Sequence, residues 1–309
     1  MLDELLTVFD LFTHEGFLYG LGAGVVLLAL FFAASLTTKA PVPGWAVAVG
    51  GVVMLLLALQ FETEQTLLIA LAFVGVAGVF VDVAHSSGDG PLGKLMRIVA
   101  WAVLGVSIVW FAGITEFSVD PWVPVVFPLV ILAIGATLRS ARTTPLANLL
   151  GPMLAVSVFG IWVTVPETDM VVVLLGVLLP MGLATLPPVR ARALAPGAFA
   201  LAGVMAWLTV AGGDTRALSI VGGWAAIGVL PLLPALSLLG RQPPGGVLIF
   251  GLHVAYVVVV TRVVDIWDSI AVALLAIVVL TGLSALALVA GTKPAGAVDA
   301  RQESGTRIH

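Results

Sequence analysis

Eleven apolar stretches, at 16–37, 43–60, 66–84, 97–115, 122–138, 147–165, 169–187, 193–211, 217–239, 246–264 and 269–291, fill the chain and leave connections too short to hold a separate domain. Runs of about 20 apolar residues are what a hydrocarbon core about 30 Å thick requires of a crossing helix. Lipid leaves a backbone amide only two ways to find a partner, inside its own helix or around a closed barrel. A barrel would show short alternating strands, which this sequence lacks. The balance of 61% hydrophobic to 10% charged residues offers too little polar surface for a water-soluble fold of 309 residues. The reading is an all-α, polytopic transmembrane helical bundle of about 11 transmembrane helices.

The loops supply an independent check, because charge played no part in finding the stretches. One set is basic, with Lys39, Lys94 and Arg97, Arg139 and Arg142, Arg190 and Arg192, Arg241, and Lys293, Arg301 and Arg307. The other is acidic, with Glu62 and Glu64, Glu116 and Asp120, Glu167 and Asp169, Asp214, and Asp265 and Asp268. The two sets alternate without a break. Only Arg216 and Arg262 of the 13 cations fall on the acidic side. Lys and Arg are retained on the cytoplasmic face of a membrane protein, so the basic side is read as cytoplasmic. An odd number of crossings then places the N-terminus outside and the C-terminus in the cytoplasm. Trp110, Trp122, Trp162, Trp207 and Trp267 fall near expected outer ends, and Trp45 and Trp101 near inner ends, as amphipathic rings at headgroup level should.

Three regions are expected. Residues 1–15 form an outer amphipathic segment, with Leu2, Leu5, Leu6, Val8, Phe9 and Phe12 mostly on one face. Their acidic character is unlike a secretory leader, so no cleavage is expected. Residues 16–291 form the bundle, and 292–309, rich in Gly, Ala and charge, read as a disordered cytoplasmic tail. The basic loops recur about every fifty residues, the length of one helical hairpin. Either short loops or duplicated hairpins would produce that period.

Ionisable groups inside a membrane are costly and mark candidate sites. His253 lies well inside the tenth stretch, followed by Tyr256, Arg262 and Asp265, a series that could bind an anionic headgroup or relay a proton. The alternative is a neutral core histidine bonded to a neighbouring helix, with Arg262 reaching to the outer interface. Asp82 and His85, spaced i to i+3, could exchange a proton; alternatively, both sit at headgroup level, where Asp82 meets water, His85 or Lys94. Proline frees a backbone carbonyl and kinks a helix. Pro231 and Pro234, after Gly222, Gly223 and Gly228, make the ninth stretch the first candidate for an interrupted helix, and Pro180, beside Gly176 and Gly182, the second. Helix packing alone accounts equally for such residues, and Gly20 with Gly24 has the spacing of a close helix contact.

The absence of cysteine excludes disulfides, thiolate metal sites and a cysteine nucleophile. Four histidines at 14, 85, 253 and 309 give no metal-ligand spacing. Phosphate-loop, zinc-protease and serine-hydrolase motifs are lacking. The expectation is therefore no catalysis, no cofactor and no metal, and no nucleic-acid partner. What remains is a multi-pass protein of a cell membrane, of the prokaryotic plasma-membrane kind, with the lipid bilayer and other membrane proteins as partners. The first reading is a permease or flippase-like carrier of a small or amphipathic, lipid-like solute. A non-catalytic accessory or scaffold subunit of a membrane protein complex is the alternative.

Overall fold

The computed structural model describes residues 11–38, 42–60, 64–88, 90–115, 121–141, 145–165, 169–187, 189–191, 195–211, 217–232, 241–242, 245–266 and 269–294. Among these, eleven α-helices follow the eleven apolar stretches: α1 (Glu15–Thr38), α2 (Trp45–Gln60), α3 (Gln65–Ser86), α4 (Pro91–Ile114), α5 (Val123–Ala141), α6 (Leu150–Thr164), α7 (Asp169–Ala184), α8 (Ala195–Leu208), α9 (Ala217–Ala225), α10 (Gly246–Ile266) and α11 (Ile270–Gly291). A 3₁₀ turn, Pro145–Asn148, leads into α6. Helix α4 starts six residues before its apolar stretch. Pro91 opens it at the first turn, where a missing N–H is harmless, and Lys94 and Arg97 ride on the helix.

Six helices, α1, α3, α4, α5, α10 and α11, are long and apolar enough to cross a membrane. The expectation that every stretch is long enough needs correction at the helix level. Helices α2, α6, α7 and α8 have 16, 15, 16 and 14 residues and α9 has 9. At a rise of about 1.5 Å per residue, sixteen residues reach only about 24 Å. Apolar character and the helical ladder need not share bounds: stretch 147–165 opens on the 3₁₀ turn before α6, and in stretch 217–239 the turns that follow Ala225 are apolar as well.

Helices α7 and α8 form the centre. Val171 through Leu178 on α7 and Ala198 through Leu208 on α8 are almost wholly enclosed, whereas large apolar side chains point outward from the periphery, among them Ile98, Val106, Val125, Leu275 and Leu286. Apolar residues inside and outside alike suit a bundle solvated by lipid. The structure is thus compatible with an integral membrane protein of the multi-pass kind.

Helix directions can be read from close contacts. A Cβ placed on Gly20 would stand 2.5 Å from Val173 O, and one on Gly24 would stand 2.5 Å from Pro180 Cγ and 2.7 Å from Val177 O, so α1 and α7 run parallel. Helices α2 and α8 are parallel too, with Gly197 against Ala46 and Val47 and Ala200 facing Gly50. So are α6 and α10, with Ser157 at His253 and Gly160 at Val257 and Thr261. Antiparallel pairs are α6 with α7 (Gly151 at Gly182, Asn148 at Thr185), α3 with α8 (Gly75 at Ala200, Leu71 at Gly203), and α9 with α10 (Gly222 at Val264, Gly228 at His253). The rings of Phe73 and Trp110, and of His85 and Trp101, set α3 antiparallel to α4. In each of these pairs, helices of like parity run together and helices of unlike parity run opposed.

The tail departs from expectation at its start. Lys293–Pro294 pairs antiparallel with Arg241–Gln242, the only strand pairing among the described residues, so 292–309 is not disordered from its first residues. The backbone there can satisfy itself by pairing with a loop that ends at the same face. Residues 1–10 and 295–309, which hold most of the outer segment and of the tail, lie outside the described residues.

Candidate functional site at a histidine and a helix break

Helix α9 stops at Ala225, and residues 226–231 continue as turns, with Gly228 at φ +69°. That left-handed conformation is open to glycine and strained for most other residues. The turn ends at Pro231, which cannot donate a backbone hydrogen bond. Pro234 lies outside the described residues.

His253 on α10 faces this turn and has no exposed surface. Its Nε2 lies 2.9 Å from Met153 O and 3.2 Å from Ser157 Oγ, both on α6. A carbonyl oxygen only accepts, so Nε2 carries the hydrogen and donates it, with Ser157 Oγ as a second acceptor. Nδ1 is then a bare lone pair. It has no hydrogen-bond partner among the described residues. Opposite it, a Cβ added to Gly228 would meet Nδ1 and stand 2.6 Å from Cε1. Only a glycine lets the turn lie against the ring.

Buried threonine hydroxyls elsewhere behave differently. Thr164, Thr209, Thr137 and Thr115 each donate to a carbonyl three or four residues earlier in their own chain segment, the usual way for a hydroxyl to be satisfied in an apolar helix. Among the described residues, polar contacts between elements include Trp45 Nε1–H donating to Met181 O at 2.6 Å, Thr185 Oγ1 to Asn148 O at 2.9 Å, Trp224 Nε1–H to Ala206 O at 3.4 Å, and Tyr256 Oη paired with Thr281 Oγ1 at 2.9 Å.

Tyr256 and His253 therefore face different neighbours, Tyr256 towards α11 and His253 towards α6 and α9. Arg262 is exposed two turns further on. His253 and Tyr256 of the expected series share a helix but not a common partner. The i to i+3 offset turns His253 and Tyr256 far enough apart to reach separate helices.

Asp82 is a second departure. Its Oδ1 lies 3.3 Å from Arg139 Nε on α5, with both side chains about four-fifths buried. His85, whose Nδ1–H reaches Val81 O at 2.7 Å, is exposed. Arg139 of α5 is thus a partner of Asp82 that the sequence reading did not name. Pro180 sits inside α7 without ending it and packs against Gly24 of α1, so α7 continues to Ala184. Among the described residues, no three His, Asp or Glu side chains converge as a metal would need.

Sequence reasoning missed Ser157, Gly228 as the point of the break, Arg139 and Thr281. A lone serine in the apolar run of α6 and a glycine three residues before Pro231 were available signals; the pairing of either with His253 was not. Comparison of the chain with protein-family models, with curated proteins and with solved structures returned no match.

Proposed function

We propose that the protein is a permease or flippase-like carrier of a small or amphipathic, lipid-like solute, non-catalytic, and embedded by eleven crossings in a cell membrane with its C-terminus in the cytoplasm. The observation that supports carriage is the meeting of two features that arise far apart in the chain: the break in α9 at Gly228 and the buried, half-satisfied His253. Carriers place interrupted helices and polar groups together within the bilayer, where irregular backbone is tolerated only inside protein. The turn is seated on the ring.

Support for eleven crossings comes from the alternating helix directions and from the company that helix ends keep. Asp82 with Arg139, Trp45 with Met181, Asn148 with Thr185, and Arg241–Gln242 with Lys293–Pro294 join ends expected on the cytoplasmic face.

The test is reconstitution in liposomes carrying a fluorescent phospholipid, with dithionite added outside, and in parallel a fluorescent fatty amide trapped within. A carrier exposes inner-leaflet label to dithionite or releases the amide faster than protein-free liposomes do. Rates equal to protein-free liposomes in both arms reject carriage.

The scaffold reading retains one specific observation. Glycines seat α1 on α7, α6 on α7 and α8 on α2 at backbone contact, which suits a solid bundle. A stoichiometric membrane-protein partner recovered on gentle solubilisation, together with no flux in either arm, would favour it.

A further inference from the structure

We propose that His253 Nδ1 and the turn at Gly228 are two sides of a subsite for one hydrogen-bond donor, the hydroxyl or amide N–H of an uncharged amphipathic ligand. The proposal takes its ligand class from the site's chemistry and rests on the carrier reading only for the ligand's movement. Nε2–H is committed to Met153 O and Ser157, which leaves Nδ1 an acceptor. An acceptor enclosed in apolar surroundings without a donor is rare in folded proteins and asks for an explanation. A donating ligand supplies one.

The charge of that ligand follows from what is packed around the ring. Helices α6 and α11 contain no ionisable residue, nor does the chain from Ala217 to Pro231. On α10 itself, Tyr256 turns to Thr281, and Arg262 and Asp265 stand nine and twelve residues away, at least about 13 Å along the axis. A cation would need a carboxylate here and an anion a charged donor. Among the described residues neither is present, so the ligand is neutral. Its stem is apolar, because the buried neighbours are Ile227, Val229, Leu230, Ile249 and Val257.

Entry requires the turn to lift. Beyond Ala226 N–H to Gly222 O at 2.9 Å the turn is held by short-range bonds, Ile227 N–H to Trp224 O at 3.4 Å, Gly228 N–H to Ala225 O at 2.9 Å and Leu232 N–H to Val229 O at 3.0 Å, so its lifting breaks few hydrogen bonds but must unseat the buried Val229 and Leu230. Glycine at 228 gives the seated turn its fit, and withdrawal of the turn would leave Nδ1 facing the space that the donor fills.

The experiment uses the full chain in lipid nanodiscs with ¹⁵N-labelled histidine, reading the Nδ1 resonance of His253 by NMR. His253→Asn assigns that resonance by its loss. Should that variant not fold, His14→Gln, His85→Gln and His309→Gln together leave it as the only one. Three probes are titrated: 1-decanol, decyl methyl ether, which matches it without the donor, and glycerol, which donates without the stem. A saturable upfield shift with decanol alone is the expected result. Equal shifts with the ether, a shift with glycerol as large as with decanol, or no shift with decanol would each overturn the proposal. Binding without flux in the liposome assay removes the carrier and leaves the subsite; flux without a shift does the reverse.

Discussion

Gly24 on α1 and Gly228 beside α9 both exist because a side chain would not fit, yet they serve opposite ends. At Gly24 the missing Cβ lets one regular helix lie on another, against Val177 O and Pro180, with no polar side chain involved. At Gly228 the missing Cβ lets an irregular turn, already at φ +69°, press on an imidazole whose Nδ1 goes unanswered. Lipid gives no hydrophobic reward for bringing helices together, so the first contact depends on close packing. The second lets an irregular turn, in a conformation that glycine adopts freely, lie against a buried polar group.

Substitutions separate the two. Gly24→Leu puts a branched side chain into the backbone of α7 and is expected to cost about 3 kcal/mol or more, as overpacking without room to relax does. Reversible unfolding in mixed micelles, followed by helical circular dichroism, would measure it; a loss below about 1 kcal/mol would mean that α1 is not seated as described. Gly228→Ala is expected to cost about 2 kcal/mol, combining left-handed strain with overlap on the ring. Adding His253→Ala should restore the overlap share and leave about 1 kcal/mol of strain, while giving no relief to Gly24→Leu. A Gly228→Ala cost unchanged by the second substitution would dissociate the turn from the histidine. Ser157→Ala, which removes a second acceptor but leaves Met153 O, is expected to cost only about 0.6 kcal/mol by the same assay. A cost as large as that of Gly228→Ala would make the serine, rather than the carbonyl, the anchor of the ring.

The two regions were also unequally legible beforehand. Gly20 and Gly24 carry a local spacing that announces a close contact, although nothing local names α7 as the partner. Each apolar stretch proved to hold a helix, since hydropathy and helix formation are both properties of neighbouring residues. Boundaries were less readable: α4 starts at Pro91, six residues before its apolar stretch, because Lys94 and Arg97 interrupt the hydropathy but not the helix. They were not readable in the ninth stretch, where apolar residues run on to 239 but the described helix ends at Ala225. The site was half legible. His253 stood out as an ionisable group in an apolar run, and the glycines and prolines of the ninth stretch marked a break. That the one faces the other depends on α9 and α10 packing antiparallel, which no local pattern encodes. Asp82 found Arg139 across 57 positions for the same reason.

Everything said of carriage requires that consecutive helices cross lipid in alternating directions. Because the chain contains no cysteine, single thiols can be introduced at Glu64 and at Arg190, both exposed and on opposite expected faces. Intact cells treated with a membrane-impermeant maleimide should label the cysteine at 64 and spare the one at 190, and permeabilised cells should label both. Label on both in intact cells, or on 190 alone, would contradict the account.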